Sequence, residues 1–262
     1  MSYRATGFHQ SKAKSFLVPM IRFHNRIKQN VYCEITKKSK DNFSIIEIGA
    51  GYLNDLNRII TAGITEVYAI EPDKKSIKKG NELLKKSQKT PPKVNWINST
   101  LQKLYQDDSE LKDVKVDAIF SMFSGGYLFS DKKSYEQFAE FISKHTNGYF
   151  VIVYYDSDAV RSFFQKKRNK QLIYKKDNTI LLRVSFDNDS LKVLIGSIGK
   201  EHNERLIDYD LLTKCLNEKG FILYEKIPFK TFRTGILNWK FPNLTLQNYS
   251  DLHVVTIWKY NI

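Results

Sequence analysis

The strongest constraint on the fold of this 262-residue chain is a regular alternation of short β-rich runs with helical stretches, which begins at residue 43. The alternating segments are runs rich in β-branched residues at 43–48 and 66–70, and helical patterns at 53–61 and 73–86. This order is typical of βαβ units, in which successive strands run parallel. The sequence therefore predicts an α/β fold built on a parallel sheet.

The same pattern continues to residue 155. It predicts further strands at 94–97, 116–122 and 149–155, and an amphipathic helix at 132–144. Gly63 follows the first helix, where a left-handed cap belongs, and Pro72-Asp73 suits the start of the second. Both early helices are therefore bounded by residues that suit helix ends.

Beyond residue 160 the pattern changes. Apolar runs at 180–186 and 191–198 flank Asp187-Asn188-Asp189-Ser190, a turn sequence that predicts antiparallel strands. A helix at 209–219, a strand from Phe221 and a strand at 253–259 complete the set. A boundary near 160 could mark a second domain. Because no Pro- or Ser-rich linker occurs there, we predict insertion of the antiparallel strands into the one sheet.

Composition narrows the class of protein. The net charge of +14 favours association with polyanions such as nucleic acid or an anionic membrane, although a solvated basic surface is the alternative. The two cysteines, Cys33 and Cys215, lack metal-ligand spacing and indicate a reducing, intracellular compartment. The longest apolar runs are too short to cross a bilayer, so we expect a soluble protein without a membrane partner. Residues 1–42 are polar and basic and predict an extension before a core at 43–262.

The segment Glu47-Ile48-Gly49-Ala50-Gly51 places a Gly-rich turn directly after the first predicted strand. Such a turn lets a ligand approach the backbone, and the N-terminus of the following helix supplies free N–H groups. Dinucleotide-binding folds need a third glycine, but Asn54 occupies that position. The segment therefore favours another nucleotide cofactor, with a plain tight turn as the structural alternative.

Two acids indicate which cofactor this is. Glu71 ends the next strand about 20 residues later and can accept both hydroxyls of a ribose. Glu47 could hold a cationic amino group, which S-adenosylmethionine has and a dinucleotide lacks. The acids thus favour S-adenosylmethionine. For Asp55, charge complementarity with a helix N-terminus is an alternative role.

With these residues in place, the chain resembles mRNA cap guanine-N7 methyltransferases. The resemblance is strongest to the methyltransferase domain of capping enzymes from large cytoplasmic DNA viruses, of the African swine fever virus or poxvirus type. The segments that carry it, besides 47–55, are Ala5-Thr6-Gly7, Phe23-His24-Asn25-Arg26-Ile27-Lys28, Ala62-Gly63-Ile64, Ile70-Glu71, Gly126-Tyr127-Leu128-Phe129, Asn147-Gly148-Tyr149-Phe150, Asn203-Glu204 and His253-Val254-Val255. The resemblance implies a class I (Rossmann-like) S-adenosylmethionine-dependent methyltransferase, with a mostly parallel seven-stranded sheet and antiparallel C-terminal strands.

The resemblance also implies site residues. Lys28 would meet the methionine carboxylate of the cofactor, and Glu71 would hold its ribose. The remaining cofactor positions implied are Glu47, Gly49 and Asp55 around the amino end, Asn98 at the adenine, Ser124 in the lining, and Ala50, Gly51 and Pro72 in the adjoining loops. The substrate positions implied are His24, Asn25, Tyr127, Phe129, Glu204 and His253. Glu204 would accept from guanine N1–H and N2–H₂ together, a pairing that adenine does not offer.

Three positions depart from the family pattern. Gly126 stands where the family has a histidine, and His253 where it has a tyrosine, so base stacking is expected to be arranged differently. Tyr52 replaces a usual lysine and removes one contact to substrate phosphate. Lys74, Lys75, Lys78 and Lys79 could attract RNA, or form an ordinary solvated helix face.

The implied reaction needs no general base, because guanine N7 carries a lone pair and no proton. Accordingly we expect no catalytic acid or base and no metal, with Tyr127, Phe129 and Glu204 acting by position alone. The expected partners are the capped 5′ end of GpppRNA, together with other capping domains of the same polypeptide or a stimulatory subunit. The expected location is the cytoplasm of an infected cell, in viral factories or the virion.

Two other functions are considered. Substitutions at Tyr52, Gly126 and His253 could leave a non-catalytic module that binds caps or RNA. The second alternative is another RNA methyltransferase, which acts on a ribose 2′-hydroxyl or on a base. The base enzymes often show an Asn/Asp-Pro-Pro-Tyr/Phe segment after the fourth strand, where this chain has Ser121-Met122-Phe123-Ser124. The 2′-O enzymes usually need a lysine-acid tetrad, so both are disfavoured.

Overall fold

The computed structural model describes residues 7–38, 42–107, 109–167, 170–196 and 199–261. Its helices and strands, in chain order, are α1 Gly7–Thr36, β1 Phe43–Ile48, α2 Leu56–Thr61, β2 Ile64–Ile70, α3 Lys74–Lys85, β3 Lys93–Ile97, α4 Leu101–Leu104, β4 Val116–Met122, α5 Lys132–His145, β5 Thr146–Tyr155, α6 Ser157–Gln165, β6 Gln171–Lys176, β7 Thr179–Asp187, β8 Ser190–Ile195, β9 Lys200–Arg205, α7 Tyr209–Asn217, β10 Phe221–Pro228, α8 Phe229–Thr231, α9 Leu244–Ser250 and β11 His253–Tyr260. Short 3₁₀ turns at Ser109–Leu111 and Gly125–Tyr127 and a π-helical turn at Phe232–Ile236 lie between them.

The chain forms two compact units, which we call the larger and the smaller unit. The larger unit consists of Lys28–Val153, Tyr209–Lys226 and Val255–Ile262, and the smaller unit of Met1–Ile27, Tyr154–Asp208 and Ile227–Val254. The predicted division of the chain at residue 42 stays a prediction, and residues 1–6 and 39–41 of that extension lie outside the described residues.

The larger unit is built on a seven-stranded sheet with the order β10-β11-β5-β4-β1-β2-β3. β1 pairs in parallel with both β2 and β4, and the pairs β2–β3 and β4–β5 are parallel as well. The sheet is mostly parallel with antiparallel C-terminal strands, which confirms the predicted fold class. Every residue of β1 except Ser44 is buried, because helices cover both faces of such a sheet.

The smaller unit contains a separate antiparallel sheet with the order β6-β7-β8-β9. The β7–β8 hairpin is antiparallel, as predicted, but the predicted insertion of these strands into the parallel sheet is wrong. β6 and β9 flank the hairpin and complete a four-stranded sheet of its own. One face of that sheet buries Leu182, Val184, Leu191 and Val193 in a core with α1, α6 and α9 residues. The hairpin therefore satisfies its backbone and its apolar face within the smaller unit.

α1 is a 30-residue helix, where the sequence predicts only an extension. Its buried residues recur at helical spacing and are Leu17, Met20, Phe23, Ile27, Val31, Tyr32 and Ile35. This spacing is the signal that could have predicted the helix. No helix in the described ranges is long and apolar enough to span a membrane.

Candidate functional site

The carboxyl ends of β1 and β4 lie side by side in the larger unit, at the centre of the parallel sheet. β2 follows on the other side of β1, and β3 beyond it. Open α/β sheets bind ligands at the carboxyl ends of their strands. The site lies at the point where the strand order reverses, beside the first strand. All ten of the cofactor residues implied by the sequence belong to the larger unit.

The turn after β1 is shaped by its two glycines. Gly49 has a φ of +73° and Gly51 a φ of +56°, in the left-handed region that glycine adopts without strain. A Cβ at Gly49 would lie only 2.8 Å from the Cβ of Ser124. The Ser124 hydroxyl in turn donates to the carbonyl of Ile48 at 2.9 Å. The loops after β1 and β4 therefore touch, and Ser124 fixes their separation.

Glu71 connects the loops after β1 and β2. Its carboxylate accepts from the Gly51 N–H at 2.8 Å and from the Asp73 N–H at 2.9 Å. Asn98, after β3, donates its amide to the carbonyls of Glu71 and Pro72 at 3.1 and 3.0 Å. Each Glu71 oxygen keeps a second lone pair, and the Asn98 amide keeps its oxygen as an acceptor. This edge thus presents acceptors that suit ribose hydroxyls and an adenine amino group.

Glu47 is buried at the end of β1, with 5% of its surface exposed. The hydroxyl of Tyr32 on α1 donates to it at 2.8 Å. Burial, followed by the nearby Asp55 carboxylate, raises the pKa of Glu47 to about 8, although Tyr32 and Lys28 act in the opposite direction. A cation bound beside this carboxyl group would favour its charged form.

Asp55, at the start of α2, pairs with two cations. Its carboxylate lies 2.5 Å from Lys28 Nζ and 2.8 Å from Arg58 Nη1. Asp55 is also the N-cap residue of α2, where its negative charge suits the helix N-terminus, although its side chain makes no capping hydrogen bond. α2 begins at Leu56, not at the predicted residue 53, because Leu53 itself is left-handed with a φ of +56°.

Tyr32 and Arg58 were missed by the sequence reading. Each bonds a predicted site residue, but neither belongs to the Gly-rich segment. Tyr32 lies one helical turn beyond Lys28 on α1, so the helical spacing of that segment could have indicated it. No group of three His, Cys, Asp or Glu side chains in the described ranges is arranged to hold a metal ion.

The predicted substrate residues are divided between the units. In the larger unit, Tyr127 lies in the Gly125–Tyr127 turn with 58% of its surface exposed. Phe129 is 6% exposed, and its ring stacks on Tyr135 with 4.1 Å between centroids. Tyr127 is therefore the exposed ring of the two, whereas Phe129 belongs to the buried packing of the larger unit.

In the smaller unit, His24 and His253 belong to one aromatic cluster. Their ring centroids are 5.2 Å apart, and Tyr155, Phe229 and Tyr249 contact the His253 ring. His253 is 2% exposed, and its Nδ1 donates to the carbonyls of Tyr249 and Ser250 at 3.1 and 3.2 Å. Burial lowers the pKa of His253 to about 4, so its ring is neutral at pH 7.

Glu204 lies on β9 of the smaller unit and is not a plain surface acid. The Nε2 of His202 donates to its carboxylate at 2.7 Å, and both side chains are largely buried, at 21% and 14% exposure. This hydrogen bond raises the pKa of His202. His202 was not predicted. Its spacing of two from Glu204, on one face of a strand, was the available signal. Asn25 is half-buried on α1.

Comparison with known proteins gives the fold more firmly than the substrate. No protein-family model matches the chain. The chain is 24% identical over 258 residues to a probable mRNA-capping enzyme of Acanthamoeba polyphaga mimivirus. The match covers 82% of this chain but only 22% of that protein's length.

Several solved structures with a similar fold are methyltransferases. The CcbJ methyltransferase of Streptomyces caelestis matches with a TM-score of 0.62 and 15% identity, over 89% of this chain and 94% of that one. A magnesium protoporphyrin IX methyltransferase from Synechocystis, solved with bound S-adenosylhomocysteine, matches with a TM-score of 0.58 and 7% identity, over 93% and 86%. A glycopeptide N-methyltransferase, MtfA, solved with S-adenosylmethionine, matches with a TM-score of 0.53 and 14% identity, over 88% and 94%. The chain therefore has the class I methyltransferase fold, whose neighbours use S-adenosylmethionine.

Proposed function

We propose that this chain is an mRNA cap guanine-N7 methyltransferase, which transfers a methyl group from S-adenosylmethionine to N7 of the cap guanine of GpppRNA. The observation that carries the proposal is the row of acceptors that Glu47, Glu71 and Asn98 form at the carboxyl edge of a class I sheet. The substrate is inferred from the family resemblance and from the similarity to a probable mRNA-capping enzyme.

The residues present fit S-adenosylmethionine. Glu71 would hold the ribose, and the free Asn98 amide oxygen would accept from the adenine amino group. Lys28 would meet the carboxylate, and Glu47 and Asp55 the amino group, of the methionine end. The raised pKa of Glu47 supports this fit, because a buried acid of this kind is stabilised by a bound cation. Once bound, the cofactor supplies a methyl group on a positively charged sulfur.

The chain's own residues would act by holding guanine, since methylation of N7 requires no proton transfer. Glu204 would accept from guanine N1–H and N2–H₂, and the exposed Tyr127 ring would stack on the base. The family resemblance also implies substrate roles for Phe129 and His253, which are both buried. His24 and Asn25 on α1 are the remaining substrate positions that it implies. Alignment of N7 with the methyl group accounts for the rate enhancement under this proposal.

Guanine selectivity tests the proposal. Wild-type protein is incubated with labelled S-adenosylmethionine and with RNA capped with either guanosine or adenosine. Methyl transfer to the two RNAs is then compared. We expect methylation of GpppRNA only, and a lower kcat/KM with reduced guanine preference in Glu204→Ala, because the acceptor pair for guanine is lost. The matched variant Glu204→Gln retains one acceptor and should lose less. Equal methylation of both caps would contradict the proposal.

The non-catalytic alternative predicts a different result in calorimetry. A module that only binds RNA or caps should bind RNA without binding S-adenosylmethionine. We expect the wild-type protein to bind the cofactor, and Asn98→Ala to bind it more weakly, because an acceptor for the adenine is removed. If cofactor binding is undetectable while RNA binds, the non-catalytic alternative replaces the enzyme.

The chain spans about a fifth of the length of the mimivirus relative that it matches. We therefore also propose that it functions beside other capping activities, in the same polypeptide or as part of an assembly, in the cytoplasm. Methylation rates measured with and without a candidate companion protein test this. A rate that no companion changes would exclude an obligatory activator.

A further inference from the structure

The outer face of α3 concentrates positive charge that the cofactor site does not use. Lys74, Lys75, Lys78 and Lys79 are all exposed, and among the described residues none has a carboxylate within ion-pair distance. Lys74 and Lys78, like Lys75 and Lys79, are four residues apart and lie on one helix face. Like charges at this spacing destabilise a helix. The arrangement therefore favours a ligand that neutralises it.

An aromatic ring adjoins this charge. The Nζ of Lys79 lies 3.5 Å from the ring centroid of Tyr52, in the loop that follows Gly51. Tyr52 is half-buried, and Lys79 covers one face of its ring. A lysine over an aromatic face is a cation–π contact, which fixes both side chains at the surface.

The contact is held by tight packing. A Cβ at Gly80, the residue after Lys79, would lie 2.5 Å from the Trp96 ring and 3.4 Å from the carbonyl oxygen of Tyr52. The indole N–H of Trp96 donates to Asn81 at 3.0 Å, which fixes the ring against α3. At its start, α3 is capped by the Asp73 carboxylate, which accepts from two backbone N–H groups at 3.1 Å. The lysines and Tyr52 thus occupy defined positions within the larger unit.

We propose that α3 and Tyr52 form a binding site for single-stranded RNA, with phosphates on Lys74, Lys75, Lys78 and Lys79 and a base stacked on the Tyr52 ring. Non-specific single-strand sites combine a basic surface with an aromatic ring in this way. A duplex keeps its bases stacked internally, and an anionic membrane offers no base, so neither uses the ring. The proposal rests on the proposed function for the identity of the RNA, which would be the chain that follows the cap.

Binding of uncapped RNA tests the site without requiring methyl transfer. Fluorescence anisotropy of a labelled single-stranded oligonucleotide is measured with the full chain and with the variant Lys74→Ala/Lys75→Ala/Lys78→Ala/Lys79→Ala. We expect the Kd to rise at least about tenfold at moderate salt, and the slope of log Kd against log salt concentration to fall by roughly 3. The thermal midpoint should stay equal or rise, because like-charge repulsion is removed.

The matched control removes the same charge elsewhere in the larger unit. The variant Lys112→Ala/Lys132→Ala/Lys133→Ala/Lys144→Ala should change the Kd by less than about threefold, because it leaves α3 intact. For the ring, Tyr52→Ala should weaken RNA binding by about fivefold or more, whereas Tyr52→Phe retains stacking and should bind like the wild type.

The outcomes decide the proposal separately from the methyl-transfer activity. An equal loss of RNA affinity in the two lysine variants would show a general charge effect and overturn the site. Equal binding by Tyr52→Ala and Tyr52→Phe, or equal affinity for duplex RNA, would overturn base stacking. Vesicles of anionic phospholipid that bind more tightly than RNA, through the same lysines, would assign the surface to a membrane. If RNA binding behaves as expected but no cap is methylated, only the proposed function fails.

Discussion

At the scale of single residues, Glu47 links cofactor binding to pH. Its pKa is raised to about 8, so in the free protein it is mostly protonated at pH 7. A cationic amino group beside it favours the carboxylate, so binding should release a proton. We predict that the affinity for S-adenosylmethionine rises by about tenfold per pH unit between pH 6 and 7.5, as calorimetry would measure it.

The variant Glu47→Gln is the control for this prediction. It keeps the shape of the side chain and removes its titration, so its affinity should be lower and nearly independent of pH over the same range. An upper limit of pH 7.5 avoids the titration of the ligand's own amino group, since α-amino groups lose a proton near pH 8. A wild-type affinity that does not change between pH 6 and 7.5 would contradict the assigned role of Glu47.

His202 is predicted to hold Glu204 in position. Its Nε2 donates to the Glu204 carboxylate at 2.7 Å, so His202→Ala should leave that carboxylate free to rotate. We expect kcat/KM for GpppRNA to fall about tenfold, mainly through KM, because a hydrogen bond to a charged group contributes about 1.5–3 kcal/mol.

A purely structural role for His202 would give a different result. Inosine caps lack the 2-amino group that Glu204 should recognise, so the preference for guanosine over inosine caps reports the alignment of that carboxylate. The preference should fall in His202→Ala and be partly retained in His202→Gln, which keeps a donor. Equal losses of kcat/KM for both caps would exclude a positioning role.

At the scale of elements, the two glycines of the turn after β1 are expected to differ in how well they tolerate substitution. Gly49→Ala adds a Cβ that meets Ser124 at 2.8 Å, whereas the same group at Gly51 meets nothing within 4 Å. Both positions have positive φ, which costs a non-glycine residue about 1–2 kcal/mol. We predict that Gly49→Ala lowers the thermal midpoint and the affinity for S-adenosylmethionine clearly more than Gly51→Ala does.

A second substitution separates the clash from the backbone strain. Adding Ser124→Gly to Gly49→Ala removes the opposing Cβ and should restore part of the thermal midpoint, as differential scanning fluorimetry would measure. Indistinguishable midpoints for Gly49→Ala and Gly51→Ala would show that contact with Ser124 does not control this turn.

The helices and strands differ in how well the sequence predicts them. The strands from 43 to 155 and their parallel pairing were predicted, because buried β-rich runs and amphipathic helices have clear periodicity. α1 was missed because Pro19 and many polar residues obscure its apolar stripe. β6 was also missed, since Gln171–Lys176 has only one fully buried residue, Leu172. Without β6 and β9, the β7–β8 hairpin could not be recognised as part of a separate sheet.

The site residues also differ in how well the sequence predicts their contacts. Glu47, Gly49 and Glu71 are adjacent to strand ends, so chain order alone places them together. Tyr32 and His202 act through hydrogen bonds to Glu47 and Glu204, and such contacts depend on tertiary packing. Lys79 places a cation beside Tyr52, the position where the cap methyltransferase family usually has a lysine. The 3.5 Å contact between its Nζ and the Tyr52 ring centroid is visible only in the structure.

At the scale of the whole molecule, His253 should make stability depend on pH in the acid range. Its pKa of about 4 lies below the ordinary value of 6.5, so the unfolded chain takes up a proton first as pH falls. The neutral form of His253 therefore contributes to the free energy of unfolding above pH 6.5. This contribution, up to about 3 kcal/mol, is lost as the pH falls toward 4. Glu47, whose pKa is raised to about 8, changes stability in the opposite direction over part of this range, so the loss is measured by urea unfolding as the difference between the wild-type protein and a His253 variant at several pH values.

The variant His253→Phe should unfold with a weaker dependence on pH between 6.5 and 4. It loses the hydrogen bonds to the carbonyls of Tyr249 and Ser250, so a constant decrease in stability is expected at every pH. If the wild-type and variant free energies of unfolding run parallel across this range, then His253 is not the group responsible.

The position of one methyl group on the RNA product tests the proposed function directly. Capped RNA is incubated with the protein and S-adenosylmethionine, digested with a nuclease that spares the cap, and analysed by mass spectrometry with fragmentation. We expect a cap dinucleotide that carries one added methyl group on guanine N7. A methyl group on a ribose or on an internal base, or no transfer by a protein that binds the cofactor, would contradict it.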